Sequence, residues 1–261
     1  MGFSILTTRK RDKNKLLINC KLKNIERKFL LKKVFNKKRF YFYNKIFLMV
    51  IFKDRCDAGK KLADLIIKSD FFKNIKDKKN IVIVSLLRGG VVVGEQIAKK
   101  IGVKNLYLPV AKISSPFNQE LAIGALCFFE VYWEKEILDL YRFSEEEKNN
   151  QLKKAKEKFF SYLQKFNIKE EDFDGIKNKV VILVDDGIAT GATAYASFYF
   201  LKTKKPKTII LASPVAPYDF KNPGFDKLFI YHKDENFSAI SQFYEDFSPA
   251  VIESLNHLTT N

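Results

Sequence analysis

The chain has 261 residues, 46% of them hydrophobic, so it can bury the core of one α/β domain with an appendage or of two small domains. Its longest apolar run, residues 46–52, is far shorter than the roughly 20 residues that span a bilayer, and its three cysteines and two histidines lack metal-ligand spacing and an even disulfide framework. The composition argues against a spanning helix and a disulfide-stapled domain, so we expect a soluble cytoplasmic protein with no membrane partner.

The formal net charge of +17 is concentrated at the amino-terminal end. Residues 1–48 contain 15 Lys or Arg and 2 acidic residues, hence +13, whereas residues 49–261 carry only +4. Three interpretations of this basic extension compete: a nucleic-acid-binding arm, an organelle-targeting segment, or sequence translated from upstream of the true start. We favour the last, because Met49 directly precedes the first stretch that reads like a domain. We therefore divide the chain at 1–48 and 49–261 and expect no nucleic-acid partner.

A helix is predicted after Phe52, because apolar side chains such as Leu62 and Ile66 fall on one helical stripe. Asp54 or Asp57 can cap its start. Arg55 follows the first of these caps, and we favour the simple interpretation that it is a surface charge.

Residues 81–86 form an apolar run that predicts a buried strand, and a helix closed by Gly102 follows. Arg88, Gly89 and Gly90 lie at the turn between them. Glycines let the backbone approach a ligand closely, and a guanidinium can bind phosphate through two parallel hydrogen bonds. Alone, this turn would be read as an ordinary connection.

A third strand is predicted at 106–110, ending at Ala111 and Lys112, which places Lys112 at the crevice where open α/β sheets bind ligands. Residues 113–119 are predicted to be a loop that could close over a ligand, and residues 120–133 to be strand. Ser144 and Glu147 form a capping box for a helix that runs to about Phe166. Residues 113–175 would contain an insertion between core units.

The most informative stretch is Val180 to Thr193. Five apolar residues predict a strand buried on both faces, and the strand delivers Asp185 and Asp186 to its carboxyl end. A turn with two glycines and two threonines then leads into a predicted helix, an arrangement that binds anions at the helix amino terminus. Two carboxylates beside a phosphate cradle imply a ligand with hydroxyls or a metal next to its phosphate, and a sugar phosphate fits that description.

Two more strands are predicted at 208–212 and 228–231, and a short helix around 249–258. Residues 213–218 between the strands either contact a ligand or form a rigid turn. Strands alternate with helices, and every candidate ligand contact follows a strand. We therefore predict an α/β fold with a parallel sheet covered by helices on both faces, Rossmann-like, with a small hood or insertion within about 113–175.

The Val180–Thr193 segment resembles the signature of the type I phosphoribosyltransferases that binds 5-phosphoribosyl 1-pyrophosphate (PRPP). The resemblance extends from Phe52 to the carboxyl terminus and looks closest to a poorly characterised subgroup of predicted phosphoribosyltransferases. Two positions depart from the pattern: Ala189, where many members carry Ser or Thr, and Ala111, where the subgroup commonly has Arg.

The resemblance implies a role for each matching residue. Asp185 and Asp186 would face the ribose hydroxyls and reach Mg²⁺ directly or through water, while Arg88 and Lys112 would bind pyrophosphate and complete the catalytic set. Gly89 and Gly90 would also belong to the pyrophosphate loop. The 5-phosphate would be held by Ala189, Thr190, Gly191, Ala192 and Thr193.

The implied reaction is Mg²⁺-dependent transfer of the phosphoribosyl group from PRPP to a nitrogenous acceptor, usually a nucleobase, with release of pyrophosphate. The insertion would then be the hood that shapes the acceptor pocket, and the family implies a homodimer. A second interpretation stays open, because some members of the fold bind PRPP or a nucleotide as an effector without turnover.

Overall fold

The structure is a computed structural model that describes residues 51–119 and 121–250. The basic extension, the start predicted at Met49, the strand position of Glu120 and most of the helix predicted around 249–258 lie outside the described residues. In the part of the chain that the structure describes, none of the helices has the length and apolar character needed to cross a membrane.

Strands and helices alternate through most of the described chain. The strands are β1 (Ile81–Leu86), β2 (Asn105–Leu108), β3 (Ala111–Ser114), β4 (Ala122–Cys127), β5 (Glu130–Trp133), β6 (Val180–Val184), β7 (Thr208–Pro217) and β8 (Lys227–Asp234). The helices are α1 (Arg55–Lys68), α2 (Asp70–Lys73), α3 (Gly89–Ile101), α4 (Lys135–Tyr141), α5 (Glu145–Phe166) and α6 (Ala192–Thr203). Short 3₁₀ turns lie at Lys78–Asn80, Glu170–Ile176 and Ile240–Phe243.

Five strands form a parallel sheet in the order β2-β1-β6-β7-β8. The chain leaves β1 toward one edge of the sheet and leaves β6 toward the other, so the boundary between β1 and β6 is the point where the strand order reverses. Ile81 is aligned with Val180, and Ser85 with Val184, so the two strands end side by side. Ligands of open α/β sheets bind at the carboxyl ends of strands at such a point.

Helices cover both faces of this sheet, which confirms the predicted α/β architecture. Successive side chains of a strand point to opposite faces. Ile83 and Ile182 pack in one core with residues of α1 and α3, whereas Val82 and Val181 pack in another core with residues of α6. The continuous apolar runs of β1 and β6 are explained by burial on both sides, since every residue of both strands is buried.

A second sheet is antiparallel and has the order β3-β4-β5. Its face joins the α6 core through residues such as Ala125 and Cys127, and α5 covers it through Ala155 and Phe159. The capping box predicted for α5 is present, and this helix ends at Phe166 as predicted.

Three details of the predicted elements are wrong. β2 ends at Leu108 before a proline, so Lys112 lies inside β3 of the antiparallel sheet, and Ile113 and Ser114 are strand rather than loop. Residues 120–133 are not one strand, because the chain turns between β4 and β5 at Phe128, whose φ is 51°. β7 continues to Pro217, so most of the segment predicted as a strand-end turn is strand.

Candidate active site

The two adjacent carboxylates follow the central strand, as predicted. The backbone N–H of Asp185 donates to the carbonyl of Ala212 at 3.3 Å, which extends the ladder between β6 and β7 by one residue and fixes where the strand ends. The N–H of Asp186 donates to Oδ1 of Asp185 at 2.9 Å, and Thr193 Oγ1 lies 3.5 Å from Oδ2 of Asp185. Burial, together with the neighbouring Asp186 carboxylate, raises the pKa of Asp185 well above its usual range.

The glycines that follow β1 lie directly against this acid pair. A Cβ placed on Gly89 would be 1.8 Å from Oδ2 of Asp186, and a Cβ on Gly90 would be 2.7 Å from the carbonyl of Val184. Any side chain would therefore displace the acids or the end of β6. The two glycines are required here by the close approach of one loop to the other, independently of any ligand.

Arg88 occupies the position before the first turn of α3, and the Leu87–Arg88 peptide bond is cis. Its side chain is partly buried, and among residues 51–119 and 121–250 its guanidinium makes no hydrogen bond or ion pair. A guanidinium held beside a helix amino terminus can bind an anion together with the free backbone N–H groups.

Asp186 is ion-paired with Arg55 of α1. The Nε of Arg55 lies 2.6 Å from Oδ2 of Asp186, and the two side chains are only 11% and 13% exposed. The N-cap prediction for Asp54 is confirmed, since its carboxylate accepts from the N–H of Asp57 at 2.7 Å. The interpretation of Arg55 as a surface charge is wrong, because its partner is 131 residues away in sequence and sequence-local reasoning could not see it.

The predicted phosphate cradle forms a tight turn into α6. Gly191 has φ +93°, a conformation that residues with a Cβ rarely adopt, and a Cβ there would also be 2.7 Å from the Phe220 ring. Thr190 Oγ1 accepts from the N–H of Ala192 at 3.2 Å, so one of the five predicted backbone donors is already engaged within the loop. Ala189 is exposed and Thr193 is partly buried beside Asp185.

Glu134, which directly follows β5, borders this cradle. Its backbone N–H donates to the carbonyl of Ile123 at 3.0 Å, and Tyr132 donates to its Oε2 at 3.4 Å. Oε1 is buried and has no hydrogen-bond partner among the described residues. Burial raises the pKa of Glu134, while the hydroxyls of Thr190 and Tyr132 oppose that shift.

The described geometry therefore brings Asp185, Asp186, Gly89, Gly90 and Thr193 together at the point where the strand order reverses. Lys112 lies within β3 of the antiparallel sheet, with Ala125 as its register partner, and not at the end of a strand of the parallel sheet. Within the described residues no cluster of three or more His, Cys, Asp or Glu side chains could hold a metal ion.

Comparison with known proteins identifies the family of this chain. The sequence profile described as "Phosphoribosyl transferase domain" matches residues 57–247, which contain the acid pair, the glycine turn and the cradle. The chain belongs to the phosphoribosyl transferase domain family. The sequence resemblance to phosphoribosyltransferases is thereby confirmed.

Two curated members of this family, from two strains of Mycobacterium tuberculosis and each named "Putative phosphoribosyl transferase", are 28% identical to the chain over 223 residues. The match covers 77% of this chain and 44% of each relative, so the chain spans less than half of their length. The crystal structure of TT1426 from Thermus thermophilus is similar at 25% identity and a TM-score of 0.54, over 80% of this chain and 97% of that chain.

Sequence reasoning missed several residues of this candidate site. Arg55 and Tyr244 contact Asp186 of the signature segment, and Glu134 lies near Thr190, yet none of the three is near that segment in sequence. One pattern could have pointed to Arg55: it is the first residue of a helix, where a positive side chain faces the positive end of the helix dipole. A cation in that position implies a specific partner. No comparable pattern marks Glu134 or Tyr244.

Proposed function

We propose that this phosphoribosyl transferase domain transfers the 5-phosphoribosyl group of PRPP to a nitrogenous acceptor, with a nucleobase as the expected class, and releases pyrophosphate. The observation that carries the proposal is the direct approach of two loops: Gly89 and Gly90 lie against Asp185 and Asp186 where the strand order reverses. The amino termini of α3 and α6 begin at these loops, so a ligand with a phosphate group at each end would lie between two anion-binding helix ends.

Each loop would bind one part of PRPP. Asp185 keeps acceptor capacity for a ribose hydroxyl, because among residues 51–119 and 121–250 the hydrogen-bond contact of its Oδ2 is the 3.5 Å one with Thr193. Thr193 and the backbone N–H groups of residues 189–193 would bind the 5-phosphate. Arg88, with the N–H groups that open α3, would bind the pyrophosphate, and Lys112 remains a further candidate for that group.

Mg²⁺ is the expected cofactor, and the donor set fits it. This ion is commonly held by one or two carboxylates together with phosphate oxygens and water, so a third protein ligand is unnecessary. Asp185 and Asp186 would hold it directly or through water. When bound, Mg²⁺ would neutralise charge on the pyrophosphate.

In the proposed reaction the acceptor nitrogen forms a bond to C1 of the ribose and loses its proton to solvent, while the bond between C1 and the pyrophosphate oxygen breaks with its electron pair. The leaving group departs as pyrophosphate, and the sugar passes through an oxocarbenium-like state. No side chain forms a covalent intermediate. The domain contributes by fixing the ribose hydroxyls and both phosphate groups relative to the acceptor and by stabilising the charge that develops on the leaving group.

The hood and the oligomeric state are proposals of the same kind. We assign the hood role to the antiparallel sheet, because Tyr132 of β5 packs edge-to-face on Tyr195 in the first turn of α6, with 4.8 Å between the ring centres. A homodimer is proposed from the family resemblance, and light scattering on the purified chain would test it.

The test is calorimetric titration of the full chain with PRPP, with and without Mg²⁺, followed by a screen of nucleobases for pyrophosphate release. Binding followed by release with one base would establish the transferase and its acceptor. Binding without release for every base would favour a regulatory protein that uses PRPP or a nucleotide as an effector. Absence of PRPP binding would contradict both.

A further inference from the structure

The ion pair between Arg55 and Asp186 is one of several contacts that hold the same arginine. Nη1 of Arg55 donates to the backbone carbonyl of Ser248 at 2.7 Å, and its guanidinium carbon lies 3.8 Å from the centre of the Phe247 ring. A guanidinium over an aromatic face is attracted by the ring quadrupole. The Arg55 head group is therefore fixed from three directions, with Nε directed at Asp186.

The backbone of Asp186 is held by the carboxyl-terminal segment of residues 243–248, which also contacts Arg55. The hydroxyl of Tyr244 donates to the backbone carbonyl of Asp186 at 2.6 Å. This segment is itself joined to the start of α1: the N–H of Phe52 donates to the carbonyl of Phe243 at 3.1 Å, and the N–H of Glu245 donates to the carbonyl of Phe52 at 2.9 Å. The beginning and end of the described domain thus meet at one residue of the signature.

Arg55 also borders the glycine turn. A Cβ on Gly89 would lie 2.8 Å from Nε of Arg55 as well as 1.8 Å from Oδ2 of Asp186. The arginine, the acid and the turn therefore form one contact set. Loss of the arginine would therefore act on the direction in which the Asp186 carboxylate points.

We propose that Arg55 is a positioning residue of the PRPP site, which fixes the Asp186 carboxylate toward the ribose hydroxyls and is itself held by Phe247 and Ser248. The inference rests on the proposed function, since it assumes that Asp186 faces ribose. Donors on a rigid guanidinium fork orient a carboxylate better than a point charge does. The carboxyl-terminal segment is then part of the site, although none of its residues belongs to the signature.

A positioning role and a direct binding role predict different effects on the affinity for the two halves of PRPP. An arginine that acts through Asp186 affects the affinity for ribose 5-phosphate and for PRPP, but leaves the affinity for pyrophosphate alone largely unchanged. An arginine that contacts the leaving group directly would do the opposite. The two ligand fragments therefore distinguish a positioning role from direct binding.

The experiment is calorimetric titration of the full-length wild type, Arg55→Gln and Arg55→Lys with PRPP and ribose 5-phosphate in the presence of Mg²⁺, and with pyrophosphate in its absence. We expect Arg55→Gln to weaken ribose 5-phosphate and PRPP by roughly tenfold or more, as for loss of one charge-assisted hydrogen bond, and to change pyrophosphate affinity by less than about threefold. Arg55→Lys should fall between the wild type and Arg55→Gln. Lys60→Gln is the matched control, because Lys60 is an exposed cation on the same helix, α1.

Circular dichroism and thermal unfolding would establish that each variant is folded. If Arg55→Gln does not fold, Arg55→Lys is compared with the wild type instead. Wild-type affinity of the folded variants for ribose 5-phosphate, or a loss confined to pyrophosphate, would overturn the inference alone. No binding of PRPP or ribose 5-phosphate by the wild type would overturn the proposed function, and this inference with it.

Discussion

The Tyr244 hydroxyl and the backbone carbonyl of Asp186 are joined by a 2.6 Å hydrogen bond, although the residues are 58 positions apart. Burial, with Asp186 as the next largest cause, raises the pKa of Tyr244, so the phenol stays protonated and remains a donor at neutral pH. The bond fixes the turn that carries the acid pair.

Tyr244→Phe should destabilise the domain and loosen that turn. The substitution removes the donor and leaves a carbonyl without its partner, which costs about 1–3 kcal/mol when the carbonyl is out of solvent. Urea unfolding measures this change in the free energy of unfolding. Tyr218→Phe is the control, because that side chain is 63% exposed. Equal stability of the two variants would contradict the role assigned to the hydrogen bond.

Gly89→Ala should abolish or strongly reduce PRPP binding. The added Cβ would lie 1.8 Å from Asp186 Oδ2, so either the acid or the turn must move. Gly175→Ala is a matched control, since a Cβ there meets nothing within 4 Å and its φ is not positive. Calorimetric titration with PRPP compares the two, and an unaffected Gly89→Ala variant would show that the turn does not need to approach the acids.

The elements that could be predicted from sequence are those with strong local patterns. β1 and β6 have the predicted bounds, because a run of five apolar residues forms β6 and a run that is apolar except for Ser85 forms β1. α5 has its predicted bounds because of the capping box at Ser144, and Gly102 closes α3 with φ +78°.

The continuation of β7 could not be predicted, because Pro214 and Pro217 are typical of turns. The structure tolerates them for a reason that lies in the sheet. Within the described residues the ladder between β6 and β7 ends at Ala212, and beyond that point β7 forms its ladder with β8. A proline without an N–H fits a strand whose other edge no longer forms a ladder.

The candidate site also contains residues that the sequence predicts and contacts that it does not. The order of residues in the signature is enough to predict Asp185, Asp186 and the cradle. The partners of Asp186, in contrast, are Arg55 of α1 and Tyr244, which lie far from it in sequence. Those contacts depend on how distant segments pack, and no spacing in the sequence encodes them.

Glu134→Gln should change the pH dependence of stability. Burial raises the pKa of Glu134 in the folded state, so the folded protein binds more protons than the unfolded chain does. The stabilising contribution of the protonated group is complete below the unfolded pKa and is lost as pH rises through the folded value. The free energy of unfolding of the wild type should therefore fall, relative to that of Glu134→Gln, as pH rises from about 4.5 toward neutral.

Glu136→Gln is the control for this measurement. The hydrogen bond and charge of Lys221 lower the pKa of Glu136. The contribution of Glu136 to the free energy of unfolding therefore changes with pH in the opposite direction. Urea unfolding at a series of pH values gives both comparisons. Parallel pH profiles for the wild type and Glu134→Gln would contradict burial of the Glu134 carboxylate beside the cradle.

The central claim is that PRPP binds between the glycine turn and the acid pair. Calorimetric titration of the full-length wild type, Asp186→Asn and Arg88→Ala with PRPP and Mg²⁺ tests it most directly, with circular dichroism to confirm that each variant is folded. We predict that the wild type binds and that each substitution weakens binding by roughly tenfold or more, as expected for loss of a charge-assisted contact. Unchanged affinity in both folded variants would contradict the site.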